Sequence, residues 1–130
     1  MKASTQVDLE RQRLFVRFVG RVTYSQVEEM ILSSARQGIL GFPLLIDARS
    51  VTIDLFPEEV IRFRDLLVEL SATSKVGQTA VLIADDLAEQ TLHLVSMVTR
   101  GICAVRSFAD RAAAENWLGW GELTPEPAHS

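Results

Sequence analysis

A short apolar run near the middle of the chain constrains the fold most. Leu44, Leu45 and Ile46 lie between Pro43 and Asp47, with helical patterns on both sides. A run of this length, bounded by chain-breaking residues, is typical of a buried strand in a parallel sheet. Asp47 then stands at the expected carboxyl end of the strand, where open α/β sheets bind their ligands. We expect the rest of the chain to be organised around this strand.

Strand-like and helix-like patterns alternate along the chain. Residues 5–9 and 14–19 alternate apolar and polar side chains, which predicts an antiparallel hairpin with its turn at residues 10–12. Further strands are expected at residues 79–84 and 102–105. Helices are expected to begin at Thr23, Pro57, Asp86 and Ser107. In the same order, these helices are expected to end at Gly38, Ser71, Gly101 and Gly119. This order predicts an α/β fold with a mixed, mostly parallel sheet, an N-terminal antiparallel hairpin and about four helices.

Some boundaries and faces follow from single residues. Gly20 is expected to end the second strand, and Asp86 to cap the third helix together with Glu89. Trp117 is expected in the core, and Trp120 at the surface or at an interface. The inward face of the third helix is expected to comprise Leu87, Thr91, Leu94, Val95 and Val98.

The size, charge and cysteine content limit the class of protein. The 130 residues suit a single domain at residues 1–118, followed by a flexible tail at residues 119–130. The net charge of −4 argues against a nucleic-acid-binding protein. No apolar run approaches the roughly 20 residues of a membrane span, and the N-terminus lacks a signal-peptide pattern, so we expect a cytoplasmic protein. Cys103 has apolar neighbours and is expected to be a buried, unreactive thiol.

Arginines recur at the start of the chain. Arg11, Arg13 and Arg17 are spaced so that a strand would place them on one face. A solvated strand face is the simpler interpretation of this stripe, and a contact with an anion or a partner is the alternative.

The order of these elements, with the residues that they carry, resembles the STAS-like or SpoIIAA-like family of small bacterial proteins. The resemblance covers about residues 5–118 and rests on four stretches: residues 15–23 (FVRFVGRVT), residues 45–52 (LIDARSVT), residues 80–84 (AVLIA) and residues 105–108 (VRSF) with Ala114, Trp117 and Leu118. It implies the α/β fold described above and a role in protein binding or regulation. The same fold is compared with the lipid-binding Sec14 domain, which implies a small-molecule or lipid ligand as an alternative.

The best-known motif of that family is altered in this chain. Its anti-sigma-factor antagonists carry an Asp-Ser-Ser-Gly motif, whose serine is phosphorylated by a partner kinase. The corresponding residues here are Asp54, Leu55, Phe56 and Pro57. Leu55 and Phe56 have no hydroxyl group and cannot accept a phosphate. The nearby hydroxyls of Ser50 and Thr52 fall earlier in the segment.

Asp47, Arg49 and Asp54 are the first candidate site residues. Acids at this position could transfer protons or bind a metal ion, whereas an Asp–Arg pair within an Asx-type turn would only stabilise the loop. We favour the structural interpretation, because metal binding needs several converging ligands and the spacing matches no established loop.

The other candidates lie on helices. His93 and Met97 are four residues apart and are expected to share a helix face that lines a pocket or an interface, unless they are ordinary surface residues. Phe56 is expected to be an exposed apolar contact before the second helix. Glu58 and Glu59 suit the positive end of that helix better than they suit paired catalytic acids.

The sequence predicts a non-enzymatic protein-interaction or regulatory module, without a phosphoserine switch and without a cofactor or metal. A small-molecule or lipid-binding module of the Sec14-like type is the alternative, and an enzyme ranks third because no group of residues matches a known active-site motif. The expected partner is an unidentified protein or a small apolar ligand, not a nucleic acid. Self-association through an exposed face or the edge strand at residues 5–9 is a further alternative.

Overall fold

The computed structural model describes residues 2–120, apart from the side chain of Asp54. Its elements in chain order are β1 (Lys2–Asp8), β2 (Arg13–Thr23), α1 (Tyr24–Arg36), β3 (Leu44–Asp54), α2 (Pro57–Ser71), β4 (Thr79–Leu82), α3 (Asp86–Val98), β5 (Val105–Phe108) and α4 (Arg111–Leu118). This order confirms the predicted α/β fold. Residues 121–130 of the predicted C-terminal tail lie outside the described residues.

The sheet has its five strands in sequence order, β1-β2-β3-β4-β5. β1 and β2 form the predicted antiparallel hairpin, and all other neighbouring strands are parallel. Leu45 of the central strand lies between Phe15 of β2 and Ala80 of β4 and is completely buried. The central position predicted for this strand is therefore confirmed.

β1 starts earlier than predicted, at Lys2, and ends at Asp8. β2 and β3 extend further toward their carboxyl ends than predicted. β2 does not end at Gly20, which adopts a left-handed φ of 102°, but continues to Thr23. β3 does not end at Asp47 either, and it continues to Asp54. The two strands pair with each other beyond the end of β4 after a register shift between Arg17 and Val19. Asp47 is therefore a mid-strand residue, although it lies level with Leu82, the last residue of β4.

Helices pack on both faces of the sheet. α4 covers one face, where Leu45, Ala80 and Leu82 contact Ala114 and Leu118. The other face carries α1, α2 and α3. On that face, α1 packs on β2 through Val27 and Met30, which contact Val16 and Phe18. α3 packs on the sheet through Ala88 and Leu92, which contact Val81 and Ile83. Phe63 and Leu67 of α2 lie over the same strands. The two helical layers enclose the core.

The end of α4 holds an unexpected core residue. Trp117 packs in the core as predicted, with its ring 5.7 Å from that of Phe108. Gly119 ends the helix in the left-handed conformation, with a φ of 82°. This turn directs Trp120 back onto the sheet, where only 7% of it is exposed. The prediction that Trp120 lies at the surface is wrong.

The residues that cap or begin the helices agree with the prediction for α1 and α2 but not for α3 and α4. The amide of Thr23 donates to Gln26 Oε1 at 2.9 Å, and Pro57 is the first residue of α2. α3 is capped by Asp85 instead of Asp86, because the Asp85 carboxylate accepts the amide of Ala88 at 2.8 Å. α4 is likewise capped by Asp110, not by Ser107, which belongs to β5.

The inward face of α3 is also displaced from the prediction. Val95 is buried as predicted, together with Ala88 and Leu92, which were not predicted. Leu87 is 68% exposed, and Leu94 is exposed as well. β5 begins at Val105, whereas the sequence pattern predicts a strand at residues 102–105. The amides of Ile102 and Cys103 donate to the carbonyl of Thr99, so these residues still belong to the turn after α3.

Candidate functional site

A groove of about 410 Å³, with both charged and apolar residues in its lining, lies where β4 and β5 end. Its lining residues come from β3, from the segment between β4 and α3, from the first turn of α3, and from the end of β5 and the residue after it: Arg49, Ile83, Ala84, Asp85, Asp86, Glu89, Ser107, Phe108 and Ala109. This is the edge where the carboxyl ends of parallel strands meet, and where open α/β sheets bind their ligands. Arg49 is the predicted site residue that lines it.

Asp47 and Arg49 form a bidentate ion pair beside the groove. Arg49 Nε donates to Asp47 Oδ1 and Arg49 Nη2 to Asp47 Oδ2, each at 3.0 Å. The backbone amide of Arg49 also donates to Oδ1 at 3.2 Å. The two side chains lie on the α4 face of β3, since residues two apart in a strand point the same way. The predicted pairing and the predicted Asx-type hydrogen bond, from the amide two residues on, are both present. They occur within β3 and not in a loop after the strand.

This geometry lowers the pKa of the Asp47 carboxyl below its usual value. The side-chain hydrogen bonds from Arg49 are the main cause, and burial acts in the opposite direction. The same bonds raise the pKa of Arg49. Asp47 is therefore held as a carboxylate, and a carboxylate already paired with a guanidinium is a poor general acid or base.

The acids along the groove have structural roles. Asp85 caps α3, and the three acids Asp85, Asp86 and Glu89 lie in or before its first turn, where the helix dipole favours negative charge. Within the described part of the chain, no three His, Cys, Asp or Glu side chains converge closely enough to hold a metal ion.

Phe56 stands at the beginning of α2 with its ring in solvent. Its backbone amide donates to Glu59 Oε1 at 2.9 Å, and its carbonyl accepts the amides of Glu59 and Val60. These bonds fix the backbone, while 57% of the residue is exposed. Glu59 therefore has the capping role expected from its position. Asp54 ends β3 just before this point, and its side chain lies outside the described residues.

His93 and Met97 lie further along α3. Both are exposed, and they share the outer side of the helix with Leu94. His93 is seven residues, or about two turns, beyond the start of α3 at the groove. The predicted site residues thus fall into two groups, one at the carboxyl edge of the sheet and one on the outer surface of α3.

An apolar cavity of about 130 Å³ lies between the sheet and helices α1 and α2. Phe18, Met30, Ile46 and Leu67 are among its lining residues, and Cys103 borders it as well. Cys103 is partly buried and not fully buried as predicted. This burial still raises the pKa of its thiol, which keeps it protonated at neutral pH. Reading the sequence did not reveal this cavity, because the residues that line it have the pattern of an ordinary packed core.

No helix among residues 2–120 has both the length and the apolar composition needed to cross a membrane. No protein-family model and no curated protein matches the chain.

Two solved structures are similar to this protein over most of their length. One is an uncharacterised protein with a SpoIIAA-like fold from Shewanella loihica PV-4, at a TM-score of 0.58 and 20% identity, covering 89% of this chain and 93% of that chain. The other is the anti-sigma factor antagonist SpoIIAA in its unphosphorylated form, at a TM-score of 0.52 and 16% identity, covering 89% of this chain and 98% of that chain. Both likenesses concern the fold, and they confirm what the sequence resemblance indicated: this protein has the SpoIIAA-like fold.

Proposed function

We propose that this protein is a non-enzymatic regulatory module that binds another protein at the carboxyl edge of its sheet. SpoIIAA, which shares the fold, is an anti-sigma factor antagonist and so acts on another protein. The paired state of Asp47 and the capping roles of Asp85 and Glu59 support a binding role over a catalytic one. A cytoplasmic location is part of the proposal.

The exposed ring of Phe56 is the observation that carries this proposal. A large aromatic side chain on a fixed backbone loses little conformational freedom on binding, and aromatic residues dominate the energy of many interfaces. The groove beside Arg49 offers charged groups, although Phe56 does not line it, because β3 continues from Asp47 to Asp54 before α2 begins. A partner that covers Phe56 and contacts this groove would combine an apolar anchor with a polar rim.

The interaction is proposed to work without a phosphoserine switch. Leu55 and Phe56 stand where the antagonist motif needs hydroxyl groups. Ser50 and Thr52, the nearest preceding hydroxyls in the sequence, lie within β3 instead of at the start of α2. Regulation would then depend on the abundance of the partner or on a ligand, and not on a phosphate at this turn.

The proposal is tested by affinity capture from the source cells, with quantitative mass spectrometry of wild-type protein, Phe56→Ser and Leu9→Ser. Leu9 is the matched control, because it is 69% exposed but lies in the β1–β2 turn at the other end of the sheet. We expect one protein to be enriched with the wild type and the control, and lost with Phe56→Ser. Equal enrichment with all three baits, or none with any, would contradict the proposal.

A second candidate function is the binding of a small apolar ligand, and the cavity under α1 and α2 favours it. Apolar cavities of about 150 Å³ can stay dry and bind molecules such as benzene. A cavity of about 130 Å³ therefore suits a single ring or a short chain, and is too small for a whole lipid.

Benzene binding, measured by thermal unfolding with and without saturating benzene, tests this second candidate. We expect benzene to raise the Tm of the wild type and not that of Cys103→Leu, whose larger side chain would occupy part of the cavity. An unchanged wild-type Tm would rule out a ligand-accessible cavity. Native mass spectrometry of gently purified protein would then show whether a natural ligand is present.

A further inference from the structure

Arg13 has unfilled hydrogen-bonding capacity at the amino end of the sheet. It is the first residue of β2, and only 8% of its side chain is exposed. Its guanidinium group lies 5.2 Å from the ring centre of Trp120. Its Nε is 3.9 Å from Asp8 Oδ2, which is too long for a hydrogen bond.

The two terminal nitrogens of Arg13 have no hydrogen-bond partner among residues 2–120. Nη1 and Nη2 are both buried, and neither donates a hydrogen bond to any described residue. Asp8 does not fill this role in its present position, because its Oδ2 approaches Nε, at 3.9 Å, and not the terminal nitrogens. Its Oδ1 accepts the amide of Arg11 at 3.0 Å. A buried guanidinium with unpaired donors is costly, and native proteins seldom contain one without a ligand or a function.

A groove of about 600 Å³ opens beside Arg13. Arg11, Arg111, Glu115 and Trp120 are among the residues that line it. Glu115 is already bound by Arg111, whose Nε lies 2.7 Å from Glu115 Oε2. Glu115 is therefore engaged with another arginine, and Asp8 Oδ2 is shared between Arg11 at 3.8 Å and Arg13 Nε at 3.9 Å. The terminal nitrogens of Arg13 remain available to an incoming anion.

We propose that Arg13 and Trp120 form a carboxylate-binding site. Nη1 and Nη2 form a planar fork that matches the two oxygens of a carboxylate, and the indole ring packs on the guanidinium group and excludes water. Because both nitrogens are covered in the present arrangement, the ring of Trp120 must shift to admit the acid. The site is independent of the proposed function, since it lies at the opposite end of the strands from Phe56.

The carboxylate can come from two sources. Glu122 and Glu126 follow Trp120 in the chain, so a neighbouring segment of the same molecule carries the required group. A separate small acid, or an acidic side chain of another molecule, supplies the same chemistry. The interpretation of the early arginines as a solvated strand face holds for Arg17, which is exposed, but not for Arg13.

NMR spectra of the ¹⁵N-labelled full chain test the proposal through the Nη–H signals of arginine. A guanidinium group held by a carboxylate rotates slowly, so its Nη–H signals become resolved. Resolved Arg13 signals in the protein alone, lost in Glu122→Gln or Glu126→Gln, would identify the chain's own acid. Signals that appear only on titration with succinate, at ionic strength matched with chloride, would identify a separate acid. If the Arg13 signals stay averaged under both conditions, the site does not exist.

Fluorescence gives a second readout in a Trp117→Phe background, where Trp120 is the remaining tryptophan. The same event that resolves the Arg13 signals should change the Trp120 emission. Arg13→Lys keeps the charge but lacks the fork, so it should abolish the response, whereas Arg17→Lys on the same strand should preserve it. A response retained in a folded Arg13→Lys variant would overturn the assignment. If Arg13→Lys fails to fold, the NMR experiments on the wild-type protein still test the proposed carboxylate site.

Discussion

Replacing Asp47 by Asn tests whether the ion pair beside the groove fixes that edge of the sheet. Asp47 accepts three hydrogen bonds from Arg49, two from its side chain and one from its backbone amide. The Asp47 side chain is 11% exposed, whereas that of Arg49 is 43% exposed. The substitution keeps the shape of the side chain and removes its charge.

The size of the effect follows from these exposures. A hydrogen bond to a charged group contributes about 1.5–3 kcal/mol when both partners are desolvated. Arg49 can return to water when its partner is lost, so the contribution must be reduced toward that of a surface pair. We therefore expect Asp47→Asn to lower the free energy of unfolding by about 1–2 kcal/mol at pH 7.

The pH dependence gives the sharper test. The pKa of Asp47 in the folded protein lies below its value in the unfolded chain, which is about 3.9. The pair therefore stabilises the fold fully above that unfolded value, and the contribution is lost as the pH falls through the folded pKa. Urea unfolding at pH 7, 5, 4 and 3 should show a constant difference between wild type and variant down to about pH 5, which then shrinks.

Asp65→Asn is the matched control. Asp65 also pairs with an arginine, at 2.7 Å from Arg64, but both side chains are well exposed. Its loss should change stability by less than about 0.5 kcal/mol. Equal effects of the two substitutions at pH 7, or a difference for Asp47→Asn that does not shrink toward pH 3, would refute the argument.

Two further outcomes concern the core. Gly77→Ala should lower the free energy of unfolding by about 1–3 kcal/mol in urea titrations, because a Cβ at residue 77 would lie 2.5 Å from the carbonyl oxygen of Phe42; a variant as stable as wild type would show that this contact is not tight. Cys103 should react with a thiol reagent at neutral pH far more slowly than the unfolded chain does, because its pKa is raised by burial; equal rates in native and denatured protein would contradict that burial.

Much of the fold could be predicted because local signals agree with the tertiary structure. The alternating patterns of the hairpin, the Pro57 start of α2 and the apolar run at Leu45 each depend on nearby residues. The ends of β2 and β3 could not be predicted in the same way. Each strand continues because it pairs with the other beyond β4, which is a contact between distant parts of the chain.

The errors in α3 and α4 have physical causes of the same kind. Apolar residues occur on more than one side of α3, so periodicity alone does not distinguish Leu87, which is exposed, from Ala88, which is buried. Asp85 and Asp86 are both good caps, so the sequence alone does not distinguish them, and in the structure it is the Asp85 carboxylate that accepts the amide of Ala88. The burial of Trp120 depends on the left-handed turn at Gly119.

The candidate site was only partly accessible to sequence reasoning. The Asp47–Arg49 pair and the exposure of Phe56 follow from local spacing and from the start of a helix. The unpaired nitrogens of Arg13 depend on how Asp8 and Trp120 pack around it, which no local pattern specifies.

The affinity of the captured partner for Phe56→Ser tests the central claim most directly. Loss of a central aromatic anchor costs about 2 kcal/mol or more, which is about a thirty-fold increase in Kd. Calorimetry on the purified proteins should show that increase for Phe56→Ser and an unchanged Kd for Leu9→Ser. An unchanged Kd for Phe56→Ser, or a larger loss with Leu9→Ser, would place the interface elsewhere and contradict the account.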